Sequence, residues 1–149
     1  MKISCFLLMI FLPLMSFTAW ASQSCTNKNC LLESNTAGDK RERVNIDGSA
    51  LKICSTDPMT GYTRSGYCDY SPSDRGQHFV CAQVSEEFLS YTKKMGNDLS
   101  TPNPRYGFKG LVPGDRWCLC VSRVIEANKS GIPLKVIRES SHRASGLNF

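Results

Sequence analysis

His78-Phe79-Val80-Cys81-Ala82-Gln83-Val84 runs straight into Ser85-Glu86-Glu87-Phe88-Leu89, and this junction decides the fold class. Apart from Gln83, the first seven residues are β-branched, aromatic or small. They alternate Phe79 and Cys81 against Val80, Ala82 and Val84, which is the period of a strand buried on at least one face. Ser85 then offers a side-chain oxygen to the free N–H groups of a helix start. Glu86 and Glu87 complement the positive end of the helix, and Lys93, Lys94 and Gly96 mark its other end. Phe88, Leu89, Thr92 and Met95 make the expected inner face. A strand feeding a capped helix needs further strands to cover it.

Arg116 to Val121 supplies a second strand. Ser122 is the expected cap of a short helix ending at Gly131, Leu134 to Ile137 is a third strand, and a last helical turn starts near Ser141. The expected architecture is therefore α+β: a small mixed sheet of about three to four strands with two or three flanking helices, reinforced by disulfides. Between the elements, Asp57-Pro58-Met59-Thr60-Gly61 carries turn residues at turn positions, and residues 69–77 form another loop. Residues 97–115 are long, polar and rich in proline and glycine. A loop of that length in a compact domain commonly carries function.

Cysteines are the densest chemical signal. Cys118 and Cys120 stand two apart in the second strand, so their side chains point the same way at ~6.6–6.8 Å along the axis. That spacing is at the edge of disulfide range with the side chains roughly parallel, so the two are not expected to bond to each other. Each is expected to meet another cysteine, or both to turn to one metal ion. Leu119 would face the opposite side, toward the core. Pairs among Cys54, Cys68, Cys81, Cys118 and Cys120 would close long loops, whereas Cys25 and Cys30 would close a short one and stabilise less. The five are odd in number, which leaves one thiol over unless it bonds outside the set. A catalytic role for it requires a base such as His142. Cys-x-Cys is tighter than the knuckles of structural zinc sites, and His78 and His142 are isolated in the sequence, so no metal site and no cofactor is assigned.

Three strings are distinctive: Cys54-Ser55-Thr56-Asp57-Pro58-Met59-Thr60-Gly61, Gly96-Asn97-Asp98-Leu99-Ser100-Thr101-Pro102 and Pro113-Gly114-Asp115-Arg116-Trp117-Cys118-Leu119-Cys120. Together they resemble the family of bacterial and plant proteins called domain of unknown function 2237, from about Asn45 to Ala144. The resemblance implies no particular activity. It differs at Tyr67-Cys68, where relatives carry adjacent cysteines, and in the export signal described below, which most relatives lack.

The same strings are unusually polar. Asp57, Asn97, Asp98, Ser100, Thr101, Asp115 and Arg116 are the candidate ligand-binding residues, gathered by the 97–116 loop and the Asp57 turn over the end of the Cys118/Cys120 strand. Arg116 would bind an anionic group through its planar fork, with Trp117 packed inward on the other face. The bland alternative has the acids and amides capping turns and Trp117 filling the core.

At the N-terminus, Lys2, an apolar run from about Phe6 to Phe17 and Ala19-Trp20-Ala21 read as a secretory signal peptide spanning residues 1–21. Removing it from 149 residues leaves 128, one ordinary domain. Residues 22–43 read as a polar extension carrying Cys25 and Cys30, and residues 44–149 as a single domain. The chain is expected to be exported to the periplasm or beyond, where thiols oxidise. Formal net charge is +5 with the basic residues scattered, which argues against nucleic acid, and no later stretch is long enough to span a membrane. The sequence contains no recognised catalytic motif. The leading expectation is therefore a binding domain for a small polar ligand or a protein, without turnover. The alternative is a thiol- or metal-dependent enzyme using the Cys118/Cys120 region.

Overall fold

A computed structural model describes residues 42–148. The proposed signal segment and the Cys25/Cys30 extension up to residue 41 lie outside the described residues. Three strands, β1 (Val80–Gln83), β2 (Arg116–Leu119) and β3 (Lys135–Val136), form a sheet in the order β2-β1-β3, with both pairings antiparallel. Helices α1 (Glu86–Lys94) and α2 (Val121–Lys129) follow β1 and β2, and three short 3₁₀ turns cover 104–106, 138–140 and 143–145. The α+β class, the three strands and the disulfide reinforcement stand as the sequence predicts.

The period of two sorts the sheet into two chemically different faces. Val80, Ala82, Trp117 and Leu119 belong to the main core, with Phe88 and Leu89 of α1 and Val124 and Ala127 of α2. The residues between them, Cys81 and Cys118, are register partners across β1 and β2 and belong to a second buried cluster with Cys54 and Cys68. Leu119 thus faces the core, as the alternation requires. β1 is the central strand and is buried on both faces through Ala82, which explains why Val80, Cys81 and Ala82 are apolar or small.

Two disulfides occupy the cysteine face: Cys54–Cys81 and Cys68–Cys118, with Cα separations of 5.7 and 5.2 Å. Cys118 and Cys120 do not pair with each other. Cys120 is a free thiol, half-buried.

Ser85 caps α1 by accepting from the Phe88 amide, and Gly96 leaves the helix at φ +81°. Three sequence expectations need correction. Met95 is 46% exposed and does not join the inner face, because the helix stops at Lys94 and the next residue swings off the apolar stripe. α2 is capped by Cys120 and not by Ser122: the chain turns at the end of β2, and burying Val121 in the core starts the helix one residue after the cysteine. The last helical turn runs over 143–145 and is capped by His142. Val44 and Asn45 form bridges to Ala50 and His142, and Asn45 is buried.

Candidate active site

The segment Asp74-Arg75-Gly76-Gln77-His78, read from sequence as loop and strand start, is an anchored loop. Asp74 is buried, and its side chain is 1% exposed. One carboxylate oxygen accepts from the Gly76 amide at 3.1 Å and from His78 Nδ1 at 2.7 Å, while the other accepts from the His78 amide at 2.8 Å. These bonds fold the loop tightly around the carboxylate and orient the imidazole. Gly76 is required by contact. A Cβ there would lie 2.6 Å from His78 Cε1, so any side chain drives the ring out of place.

The loop is pinned to α2. Gln77, at φ +53°, accepts through its carbonyl from the Val121 amide at 3.1 Å and the Phe79 amide at 2.7 Å. Cys120 caps α2 with its backbone only: its carbonyl accepts from the Arg123 and Val124 amides, and its side chain makes no cap bond. The sulfur is left for His78, whose Nε2 lies 3.2 Å away. The result is a hydrogen-bonded chain Cys120–His78–Asp74, with the sulfur at a helix N-terminus, where partial positive charge favours an anion.

Electrostatics agree with this geometry. The His78 pKa is raised from 6.5 to about 9. The hydrogen bond to Cys120 is the largest cause, burial opposes it, and the hydrogen bond to Asp74 adds to it. At neutral pH the imidazolium is the favoured form, donating from Nδ1 to Asp74 and from Nε2 to sulfur. Following the ring protons by NMR should give a titration near pH 9. Cys120→Ser should move it down toward the ordinary histidine value, and Asp74→Asn should move it down by less. An unchanged titration in Cys120→Ser would disprove the coupling.

His142, the base suggested by sequence, plays a different part. It is fully buried, its Nδ1 accepts from the Ala144 amide at 3.0 Å and its Nε2 donates to the Glu42 carbonyl at 2.9 Å. Burial lowers its pKa, so it is a neutral structural histidine.

His78 opens onto a cavity of about 410 Å³ whose walls include Arg64, Asp98, Thr101, Tyr106 and Trp117. A second cavity of about 360 Å³ shares Arg64, Tyr106, Phe108 and Trp117 and adds Asp57 and Lys109. Arg64 lies over the Trp117 ring at 4.9 Å and is common to both. Tyr62 stacks with His78, ring centroids 6.3 Å apart. A larger cavity, about 600 Å³, is lined by Val84, Ser85, Glu86, Pro113 and Leu134 among others, and Asp74, His78 and Cys120 are not in its lining. Its size therefore has no bearing on the thiol chemistry.

The sequence-predicted ligand residues divide. Asp57 sits beside the second cavity, exposed and paired with Lys109 at 2.6 Å, which raises the Lys109 pKa. Asp98 and Thr101 line the first. There Asp98 accepts from the Thr101 hydroxyl and from the Ser100 and Thr101 amides, and pairs with Lys93 at 3.1 Å; the Thr101 hydroxyl bond is the main reason its pKa is held far below the usual carboxylate range. Ser100 contributes its amide to that turn. Asn97 donates to the Thr92 hydroxyl at the end of α1, and Asp115 accepts from the Val112 amide within its own turn. Arg116 is exposed at the start of β2 opposite Gln83 and lines none of these cavities, whereas Trp117 is 8% exposed and does pack inward. Arg64 is the guanidinium that faces the cavities. Asp74, His78 and Arg64 were absent from the sequence-derived set. The available signal was the Asp-x-Gly-x-His spacing, which suits a turn that bonds its own histidine.

Among the described residues, no helix is long and apolar enough to cross a membrane. No curated protein matches the chain. Residues 44–147 match the family described as uncharacterized proteins conserved in bacteria, DUF2237, and with most of its length covered the chain belongs to that family.

Proposed function

We propose that this protein is an exported thiol enzyme that transfers or hydrolyses acyl groups, with Cys120 as nucleophile, His78 as acid and base, and Asp74 as the residue that orients His78. One observation carries the reading: sulfur, imidazole and buried carboxylate in a single hydrogen-bonded line, 3.2 and 2.7 Å per step. That arrangement takes the thiol alternative over a binding domain without turnover, because a purely structural histidine has no need of a free thiol on one nitrogen and a carboxylate on the other. Export remains part of the proposal. It rests on the N-terminal sequence, and two disulfides suit an oxidising compartment.

In the first step the Cys120 thiolate attacks the substrate carbonyl carbon and forms an S–acyl bond. The bond from that carbon to the leaving group breaks, and the leaving group departs with the proton of the His78 imidazolium. In the second step neutral His78 takes a proton from water as the oxygen attacks the thioester. Cys120 leaves as thiolate, and His78 holds the proton again. Arg64, Tyr106 and Trp117 flank the approach, so acyl groups with a flat or anionic portion suit the cavity.

Mass spectrometry after brief incubation with a panel of activated esters and thioesters tests this. The expected result is an acyl adduct on the Cys120 peptide that decays on standing, and no adduct in Cys120→Ser. If Cys120 stays unacylated across the panel in folded protein, while the unfolded chain labels readily, the proposal fails.

A further inference from the structure

We propose that when its two internal disulfides are reduced, the chain binds one thiophilic divalent cation of the zinc class through Cys54, Cys68, Cys81 and Cys118. The site is separate from Cys120 and stands independently of the acyl-transfer reading.

The four residues form one cluster at 0–3% exposure, with only Ile137 packed against it as a partly buried neighbour. The sulfurs of Cys54, Cys68 and Cys118 all lie within 4.8 Å of one another, and that of Cys81 is one bond from Cys54. A tetrahedral zinc–thiolate centre with bonds of ~2.3 Å needs sulfur pairs roughly 3.8 Å apart. Going from two bridges to one such centre thus asks for displacements of about 1–2 Å per sulfur, within reach of χ1 changes.

The frame around the sulfurs includes hydrogen bonds from cysteine amides that do not depend on the bridges. Cys81 and Cys118 are opposite each other in the β1–β2 ladder. The Cys54 amide donates to the Gly66 carbonyl at 2.8 Å, the Cys118 amide to the Thr60 hydroxyl at 2.9 Å and the Cys81 amide to the Ser141 hydroxyl at 3.0 Å. In the folded chain the positions of Cys54, Cys81 and Cys118 are thus set by contacts other than the bridges. Left unligated, the four thiols are buried sulfurs without hydrogen-bond partners of their own, and a d¹⁰ cation satisfies all four at once. Sequence spacing hid this site, because the ligands come from a turn, a loop and two strands and not from paired knuckles.

The chemistry balances with a dithiol as reductant. Each dithiol gives two electrons and two protons to one bridge and becomes a disulfide itself, yielding four cysteine thiols from two bridges. The cation then displaces four protons and is held by four thiolates.

The test uses the Cys120→Ser chain, so that the triad thiol cannot contribute. The protein is reduced with a dithiol, moved anaerobically into metal-free buffer and titrated with Cd²⁺. The expected result is a thiolate-to-cadmium absorption that saturates at one equivalent, together with native amide resonances and a raised thermal transition. Replacing Cys54 and Cys68 by serine in the same background should weaken Cd²⁺ binding by more than about a hundredfold. An apo chain that unfolds on reduction and regains native resonances with Cd²⁺ also supports the site. The proposal is overturned by no saturable absorption, by absorption from a chain whose resonances remain those of an unfolded protein, or by binding unchanged in the double variant.

Discussion

His78→Ala should slow acylation of Cys120 by an activated ester about a hundredfold at neutral pH, the lower end of what a positioned acid–base residue supplies. The thiolate is the attacking species, and His78 Nε2, 3.2 Å away, is the group placed to take the thiol proton and to return it to the leaving group. Gly76→Ala should come close to the same loss without touching any member of the triad. Its Cβ would meet His78 Cε1 at 2.6 Å, Nδ1 at 3.1 Å and Nε2 at 3.3 Å, and the ring is hydrogen-bonded to Asp74 and stacked with Tyr62. Asp74→Asn should cost less than His78→Ala, because the imidazole remains and loses only its orientation and the support of a charge. Stopped-flow acylation, with folding checked by circular dichroism, measures all three. A His78→Ala protein that acylates Cys120 at the wild-type rate would show that the contact is only packing.

The second large effect is on stability. Replacing Cys68 and Cys118 together by alanine opens a loop of 50 residues, and the chain-entropy estimate for a loop of that length is about 4 kcal/mol. The Cys54–Cys81 bridge spans 27 residues and comes to about 3.5 kcal/mol on the same basis. Against a total of roughly 5–15 kcal/mol for an ordinary domain, losing either bridge removes a large share of the stability. Loss of both is expected to leave the oxidised-state fold unpopulated without metal. Urea unfolding under non-reducing conditions, with the Cys120→Ser background to prevent exchange, gives the values. A loss under about 1 kcal/mol for Cys68→Ala/Cys118→Ala would mean that sheet packing alone holds this face together.

These two effects rest on different kinds of information in the chain. The division of the sheet into a helix-facing side and a cysteine side was legible in the sequence, because side chains alternate with a period of two and Trp117-Cys118-Leu119 reads out both faces directly. The start of α1 was legible for the same reason. Ser85, Glu86 and Glu87 act on amides within one turn of themselves, so their effect is local. The inward packing of Trp117 and the outward position of Arg116 followed from strand geometry, and Cys118 and Cys120, expected not to pair, do not: Cys118 bonds Cys68, and Cys120 lies past the strand at the start of α2.

Pairings across distance were decided by the tertiary structure. Which cysteine stays free depends on the β1–β2 register, which sets Cys81 opposite Cys118 and brings Cys54 and Cys68 in from separate segments, leaving Cys120 beyond the strand end. His78 looked isolated because its partners are reached in two unrelated ways: Asp74 through a turn that closes on itself, and Cys120 from 42 residues away through the docking of Gln77 on the first residue of α2. His142 looked equally available as a base, yet burial and two backbone hydrogen bonds take both of its nitrogens. Local rules reach a few residues along the chain, to the next turn or the next side of a strand. A sulfur–imidazole–carboxylate line or a four-sulfur cluster is a coincidence of positions far apart in sequence, and only the packing of strands, loops and helix ends against one another brings such positions into contact.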